Sequence, residues 1–277
     1  MDDRGVVYML QGDRHWAVLL VSIYSLRKIS RIPICIACVD KPSLQMGLKL
    51  ANAFPNISTI VLEDTIQGVK NAGYSNKPLV ISQSPFRETI FLDADTIVCN
   101  DSFEKLFEIE QPLGVTWFSN WTTDGSIMQG RVRKWAGCEP ERAARSLQAM
   151  FPALNTGVFS FSQRSLEIGQ KWLEVTRSNI SFMCDEIAMQ LLLPELFDDN
   201  LAFVFSDHFN WSPLYSTSEN PCIVHFHGRK ALHEKAINLW LPRFRECWEK
   251  DLAGVRQWAP AGDKRLRERM KELGFVA

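Results

Sequence analysis

The chain has 277 residues, 46% hydrophobic and 23% charged, the balance of a globular protein able to bury a core without disulfides or structural metals. Lys and Arg number 31 against 32 Asp and Glu, and the formal net charge of -1 excludes a protein built only to coat nucleic acid. Seven scattered cysteines and an acidic start with no long apolar run after it predict reduced thiols, no signal peptide and a cytoplasmic location.

Residues 6–10 (Val-Val-Tyr-Met-Leu) read as a buried strand, and Gly12-Asp13-Arg14-His15 as the loop that follows. From Trp16 onward, Ala17, Leu20, Val21, Tyr24 and Leu26 recur near helical spacing. This apolar stretch, broken by Ser22 and Ser25, is too short to span a bilayer, so no transmembrane segment is expected. Residues 32–39 form a β-rich run ending at the turn Asp40-Lys41-Pro42; a helix over 44–54 and a strand over 57–62 follow. This β-α-β-α-β order predicts an α/β fold, a mostly parallel sheet with helices on both faces. A helical stretch over 76–82 precedes a strand over 89–92, which runs into Asp93-Ala94-Asp95. Strands are then expected over 114–118, 157–161 and 223–226, and helices over 166–175 and 185–193. The chain from Leu232 on reads as helix-rich. One domain over 1–230, divisible near residue 100, with a helical C-terminal extension over 231–277, is the predicted organisation.

Asp93 and Asp95 are the strongest chemical signal. Side chains two apart in extended backbone point the same way, so a strand end bearing Asp-x-Asp aims two carboxylates at one point. Ligands of open α/β sheets bind at such carboxyl ends. Two anionic oxygen donors suit Mg²⁺ or Mn²⁺, with phosphate oxygens and water completing the coordination. A helix cap or a simple ion pair is the competing role for either acid.

The segment Arg87-Glu88-Thr89-Ile90-Phe91-Leu92-Asp93-Ala94-Asp95-Thr96-Ile97-Val98 resembles the D-x-D region of GT-A glycosyltransferases, whose fold is Rossmann-like. It is similar to the glycogenin and galactosyltransferase-like group, which uses UDP-sugars with retention. The likeness keeps the same order to about Lys230, and it implies a nucleotide-sugar-binding half (1–100) and an acceptor-binding half (101–230). It implies that Leu10, Asp13 and Trp16 hold base and ribose, although a plain strand-to-helix turn accounts for them equally. Lys77 stands where the family keeps a basic residue on the donor; the other reading is a solvated lysine. Asn155-Thr156-Gly157 resembles the family's Asn-x-Gly strand, whose asparagine binds the donor sugar, while a turn-forming Asn is the alternative. Asp185 would hold the donor sugar and Glu186 would face the reacting centre, as base, electrostatic stabiliser or nucleophile. Val224-His225-Phe226-His227-Gly228 resembles a late His-Phe-x-Gly segment, which makes His225 the third metal ligand. Lys230 follows Gly228 one position earlier than in the family, so Arg229 or Lys230 would meet the diphosphate beside Gly228. Imidazole ligation favours Mn²⁺ over Mg²⁺.

Cys35 and Cys38 form a C-x-x-C, but three apart on a strand they face opposite sides, which predicts core cysteines. Trp117, Trp121 and Trp211 occupy segments that could line an acceptor groove. The expected enzyme is therefore a metal-dependent hexosyl or pentosyl transferase, its acceptor a bacterial glycan or lipid-linked saccharide. Modified DNA is the alternative acceptor, with Arg131, Arg133, Lys134, Arg142 and Arg145, together with the cationic tail, as phosphate contacts. A nucleotidyltransferase is a second enzyme class, weakened by the single glycine in the first loop, and a binding protein without turnover is a third possibility.

Overall fold

A computed structural model of the protein describes residues 3–12, 15–117, 125–149, 151, 153–212, 216 and 220–226. The chain opens with β1 (Arg4–Leu10), α1 (Trp16–Ile29), β2 (Ile34–Cys38), α2 (Lys41–Ala53) and β3 (Ile57–Val61). The three strands pair in parallel, β1 on β2 and β2 on β3. Every residue of β2 is buried, as expected of a strand covered on both faces. Val7, Cys35, Ala37 and Val39 join the main core on one face. On the other face α2 lies close: a Cβ on Gly47 would sit 3.0 Å from Cys38 Sγ and 3.1 Å from Thr59 Cγ2. Cys35 and Cys38 are thus buried on opposite faces, and burial pushes their thiols up to about 11 and about 12.

Asp40 begins α2 with a capping box in which its carboxylate accepts from Ser43 N–H at 2.8 Å. The same carboxylate accepts from Gly12 N–H at 2.9 Å. It therefore anchors the loop after β1, where Gly12 adopts φ +65°. The single helix expected over 76–82 is instead two short ones, α3 (Ala72–Asn76) and α4 (Leu79–Gln83). Pro78 separates them because it has no N–H for a continuous helical ladder.

β4 (Glu88–Leu92) pairs in parallel with β1 and antiparallel with β7 (Leu154–Ser162). With β6 (Leu113–Trp117) and β8 (Ala202–Phe205) these strands form a seven-stranded sheet in the order β3-β2-β1-β4-β7-β6-β8. Two helices absent from the sequence-based expectation, α5 (Gly125–Trp135) and α6 (Pro140–Ala149), bury Val132, Trp135 and Ala143 beneath charged outer faces. α7 (Leu166–Ser178) and α8 (Cys184–Asp198) complete the layer, and α8 is buried from Cys184 through Pro194. A second sheet pairs β5 (Thr96–Val98) with β9 (Ile223–His225) in antiparallel register, Thr96 opposite His225. Contacts divide the chain into two compact units, Met1–His225 and Phe226–Ala277. The helical reading of 231–277 lies outside the described residues. No described helix is long and apolar enough to cross a membrane.

Candidate functional site

The site forms at the carboxyl end of β4. That strand stops at Leu92, and Asp93 N–H donates to Gly157 O at 2.7 Å. Asp93 O then accepts from Thr96 N–H at 3.2 Å and Thr96 Oγ1 at 2.8 Å. Asp93 to Thr96 is therefore a tight turn, which corrects the extended geometry inferred from the sequence. The two carboxylates meet because the chain reverses into β5, not because strand alternation points them together.

β9 brings His225 to the same point. Its Nε2 lies 3.2 Å from Asp95 Oδ1 and 3.8 Å from Asp93 Oδ2. One ligand atom from each of the three residues falls within 4.8 Å of the others. The imidazole is 2% exposed, whereas the side chains of Asp93 and Asp95 are 28% and 36% exposed, so the cluster is closed behind and open in front. Gly157 makes room for the ring, since a Cβ there would lie 2.1 Å from His225 Cε1 and 2.5 Å from Nδ1. Two carboxylate oxygens and one imidazole nitrogen in this spacing fit a divalent cation. Gly157→Ala is expected to cost about 1–3 kcal/mol by overpacking. Thermal melting should show this, together with weaker Mn²⁺ binding, because the imidazole is the group that must give way.

Lys77, 7% exposed, lies deeper. Its Nζ is 3.0 Å from Asp93, 3.0 Å from Asp185 Oδ2 and 3.2 Å from Thr156 O. Burial alone would lower its affinity for a proton, but Asp185 and Asp93 outweigh burial and raise it. It is therefore not a solvated lysine. Asp93 itself is raised, by burial first, with Lys77 and His225 opposing.

Asp185 and Glu186 occupy the first turn of α8, behind Met183 at φ 60°. Thr156 Oγ1 donates to Asp185 Oδ2 at 2.7 Å, Trp172 Nε1 to Asp185 O at 2.9 Å, and Asn155 Nδ2 to Glu186 Oε1 at 2.6 Å. Asp185 Oδ1 and Glu186 Oε2 are buried yet accept no hydrogen bond from the described residues. Arg131 stands 3.8 Å from Glu186 Oε2. Burial, then Asp185, holds the Glu186 carboxyl well above the usual carboxylate range. A raised carboxyl means the folded state binds more protons than the unfolded state, so this group's ionisation removes stability as pH rises above the ordinary carboxylate range. Glu186→Gln lacks that loss, and its melting temperature should gain on the wild type between about pH 5 and about pH 8.

The β4–β5 turn, β9 and the start of α8, far apart in sequence, therefore meet here, and Asn155 and Lys77 join them. Leu10 ends β1 with its side chain fully buried and its carbonyl accepting from Val39 N–H. Asp13, Gly228, Arg229, Lys230, Trp121 and the side chain of Trp16 lie outside the described residues. Two participants escaped the sequence reading. Asn210, 0% exposed, accepts at Oδ1 from the His225 ring at 2.9 Å and donates to Thr116 Oγ1 at 2.7 Å. A lone asparagine in a loop carries no local signal. Asp40 was legible only as a turn residue. The basic residues offered as DNA contacts are largely engaged: Arg131 faces Glu186, Arg142 pairs with Glu139 at 2.8 Å, and Arg145 pairs with Asp198. No DNA-binding face is supported by them.

A family model described as mannosyltransferase matches residues 3–111. Solved structures share the architecture at low identity. The galactosyltransferase LgtC, in complex with donor and acceptor sugar analogues, matches at TM-score 0.60 and 14% identity over 89% of this chain and 95% of its own. Mouse xyloside xylosyltransferase 1 matches at TM-score 0.55 and 11% identity over 82% of this chain and 98% of its own. The bifunctional glycosyltransferase WbbM matches at TM-score 0.56 and 12% identity over 82% of this chain, which spans 46% of that protein. The chain has the GT-A fold of these glycosyltransferases. The family match over its first part agrees on the class. No curated protein matches the chain.

Proposed function

We propose that this glycosyltransferase moves a sugar from a UDP-sugar to a hydroxyl of a glycan or lipid-linked saccharide, with retention and with Mn²⁺ as its ion. The observation that carries the reading is the convergence of Asp93, Asp95 and His225 within 4.8 Å beside the buried pair Asp185 and Glu186. Asp93, Asp95 and His225 would hold the ion, and the nitrogen donor is what favours Mn²⁺ over Mg²⁺. When bound, the ion supplies charge neutralisation to a departing diphosphate.

The protein's own groups supply the rest. Lys77 holds Asp93 and Asp185 in fixed relation through 3.0 Å contacts to each. Asp185 Oδ1, buried and without a hydrogen-bond partner among the described residues, is ready to accept from a sugar hydroxyl, and Glu186 Oε2, likewise unpartnered, meets a hydroxyl as donor when protonated and as acceptor when ionised. Such acceptors gain most from a ligand that brings donors, because water is already excluded there. Glu186, held proton-rich by its surroundings, faces the reacting sugar. The sugar analogues bound to LgtC support the choice of a glycan acceptor, and the mannosyltransferase family match makes mannose a candidate sugar.

A mass-spectrometric screen of UDP- and GDP-sugars tests this. With Mn²⁺ one donor should be hydrolysed slowly without acceptor, and faster with an oligosaccharide acceptor, and chelation of the ion should stop both. Failure of every donor in Mn²⁺ and in Mg²⁺ would overturn the reading.

A further inference from the structure

We infer that Asn210 is a positioning residue that keeps the proton of His225 on Nδ1, so that Nε2 is the atom offered to Asp93, Asp95 and the ion they hold. The inference rests on the metal reading for its purpose, but on hydrogen-bond polarity for its content. Asn210 Nδ2 lies 3.3 Å from the backbone carbonyl of Asn155, a group that only accepts. That atom is therefore the amide nitrogen, and Oδ1 is the atom turned to His225 Nδ1 at 2.9 Å. An amide oxygen cannot donate, so the imidazole must.

The next step along the chain is fixed in the same way. Asn155 Oδ1 accepts from Gly157 N–H at 2.9 Å, and a backbone N–H only donates. Asn155 Oδ1 also accepts from Asn210 Nδ2 at 2.9 Å, which leaves Asn155 Nδ2 to donate to Glu186 Oε1 at 2.6 Å. The polarity runs one way from His225 through Asn210 and Asn155 to Glu186. His225, Asn210, Asn155 and Glu186 are 2%, 0%, 3% and 5% exposed, so water offers little substitute for a lost partner. Reversing one amide would set two acceptors or two donors face to face. The carboxylate beside the reacting sugar and the imidazole of the ion cluster are thereby held in one register, and neither Asn210 nor Asn155 need touch the ion.

The experiment uses the full chain with ¹⁵N-labelled histidine, free of metal, and His225→Gln to assign the signal. Long-range ¹H–¹⁵N spectra should show Nδ1 of His225 protonated; an unprotonated Nδ1 overturns the inference. Asn210→Ala should weaken Mn²⁺ binding, followed by calorimetry, by about 10–100-fold. Asn210→Asp still offers an oxygen to Nδ1 and should keep that proton in the spectrum, while its second oxygen, set against Asn155 O and Oδ1, should lower the melting temperature. Wild-type affinity in Asn210→Ala overturns the inference, and the wild-type spectrum decides it even if that variant does not fold. A wild-type chain that binds no divalent ion yet keeps the Nδ1 proton sinks the metal reading alone.

Discussion

Asp95→Asn is expected to slow sugar transfer by about a thousandfold, roughly 4 kcal/mol of transition-state stabilisation, while barely changing the melting temperature. Asp95 sits on the turn between β4 and β5 with its side chain 36% exposed, outside the hydrophobic core. Substitutions at such positions usually change stability by no more than about 0.5 kcal/mol. On the proposed metal reading the site loses one of its two anionic donors, leaving Asp93 and His225 to hold the ion. The variant should bind Mn²⁺ more weakly, and its kcat should stay low when the ion is saturating, because an amide oxygen neutralises less of the charge. Calorimetry for the ion, steady-state kinetics for turnover and a melting curve for the fold separate these effects. Full activity in Asp95→Asn would remove the ion from the mechanism.

Lys77→Met should cost about 3–5 kcal/mol of folding stability, the usual result of breaking a buried ion pair from one side. Lys77 is almost wholly buried and contacts both Asp93 and Asp185 at 3.0 Å. The methionine fills similar volume, so the loss isolates charge from packing. Two carboxylates would then face each other with no cation between them, and Glu186 lies one residue beyond. The deficit should be largest at neutral pH and shrink as pH falls through the carboxylate range, because protonation relieves the repulsion. Chemical denaturation at about pH 5 and about pH 8 gives the sign directly. Added Mn²⁺ should restore part of the loss at neutral pH by replacing the missing cation at Asp93. A pH-independent deficit would mean that Lys77 acts by packing alone.

The contrast between these two residues shows how much of the site was legible beforehand. Asp95 declared itself through an apolar strand running into Asp-x-Asp. Lys77 could be marked only by its distance from that motif, with a solvated lysine as an equal reading, because burial of a single lysine depends on what packs over it. Helices α5 and α6 were missed for a related reason: their apolar residues are few and lie among arginines and small residues, and Trp135 and Ala143 are core residues only because α8 lies beneath them. β8 was missed as well, with Phe203 42% exposed on a short edge strand that gives little alternation to detect.

Local order in the chain determined the parallel β-α-β core, the turn at Asp40, the buried cysteines and the acidic pair after β4, since each follows from residues within a few positions of one another. Tertiary structure alone decided that the two acids meet in a turn, that β9 delivers an imidazole to them, and that Asn210 and Asn155 link this imidazole to Glu186. Those groups come from strands and helices far apart in sequence, and hydrogen-bond direction among buried side chains is settled only when the sheets and α8 have closed around them.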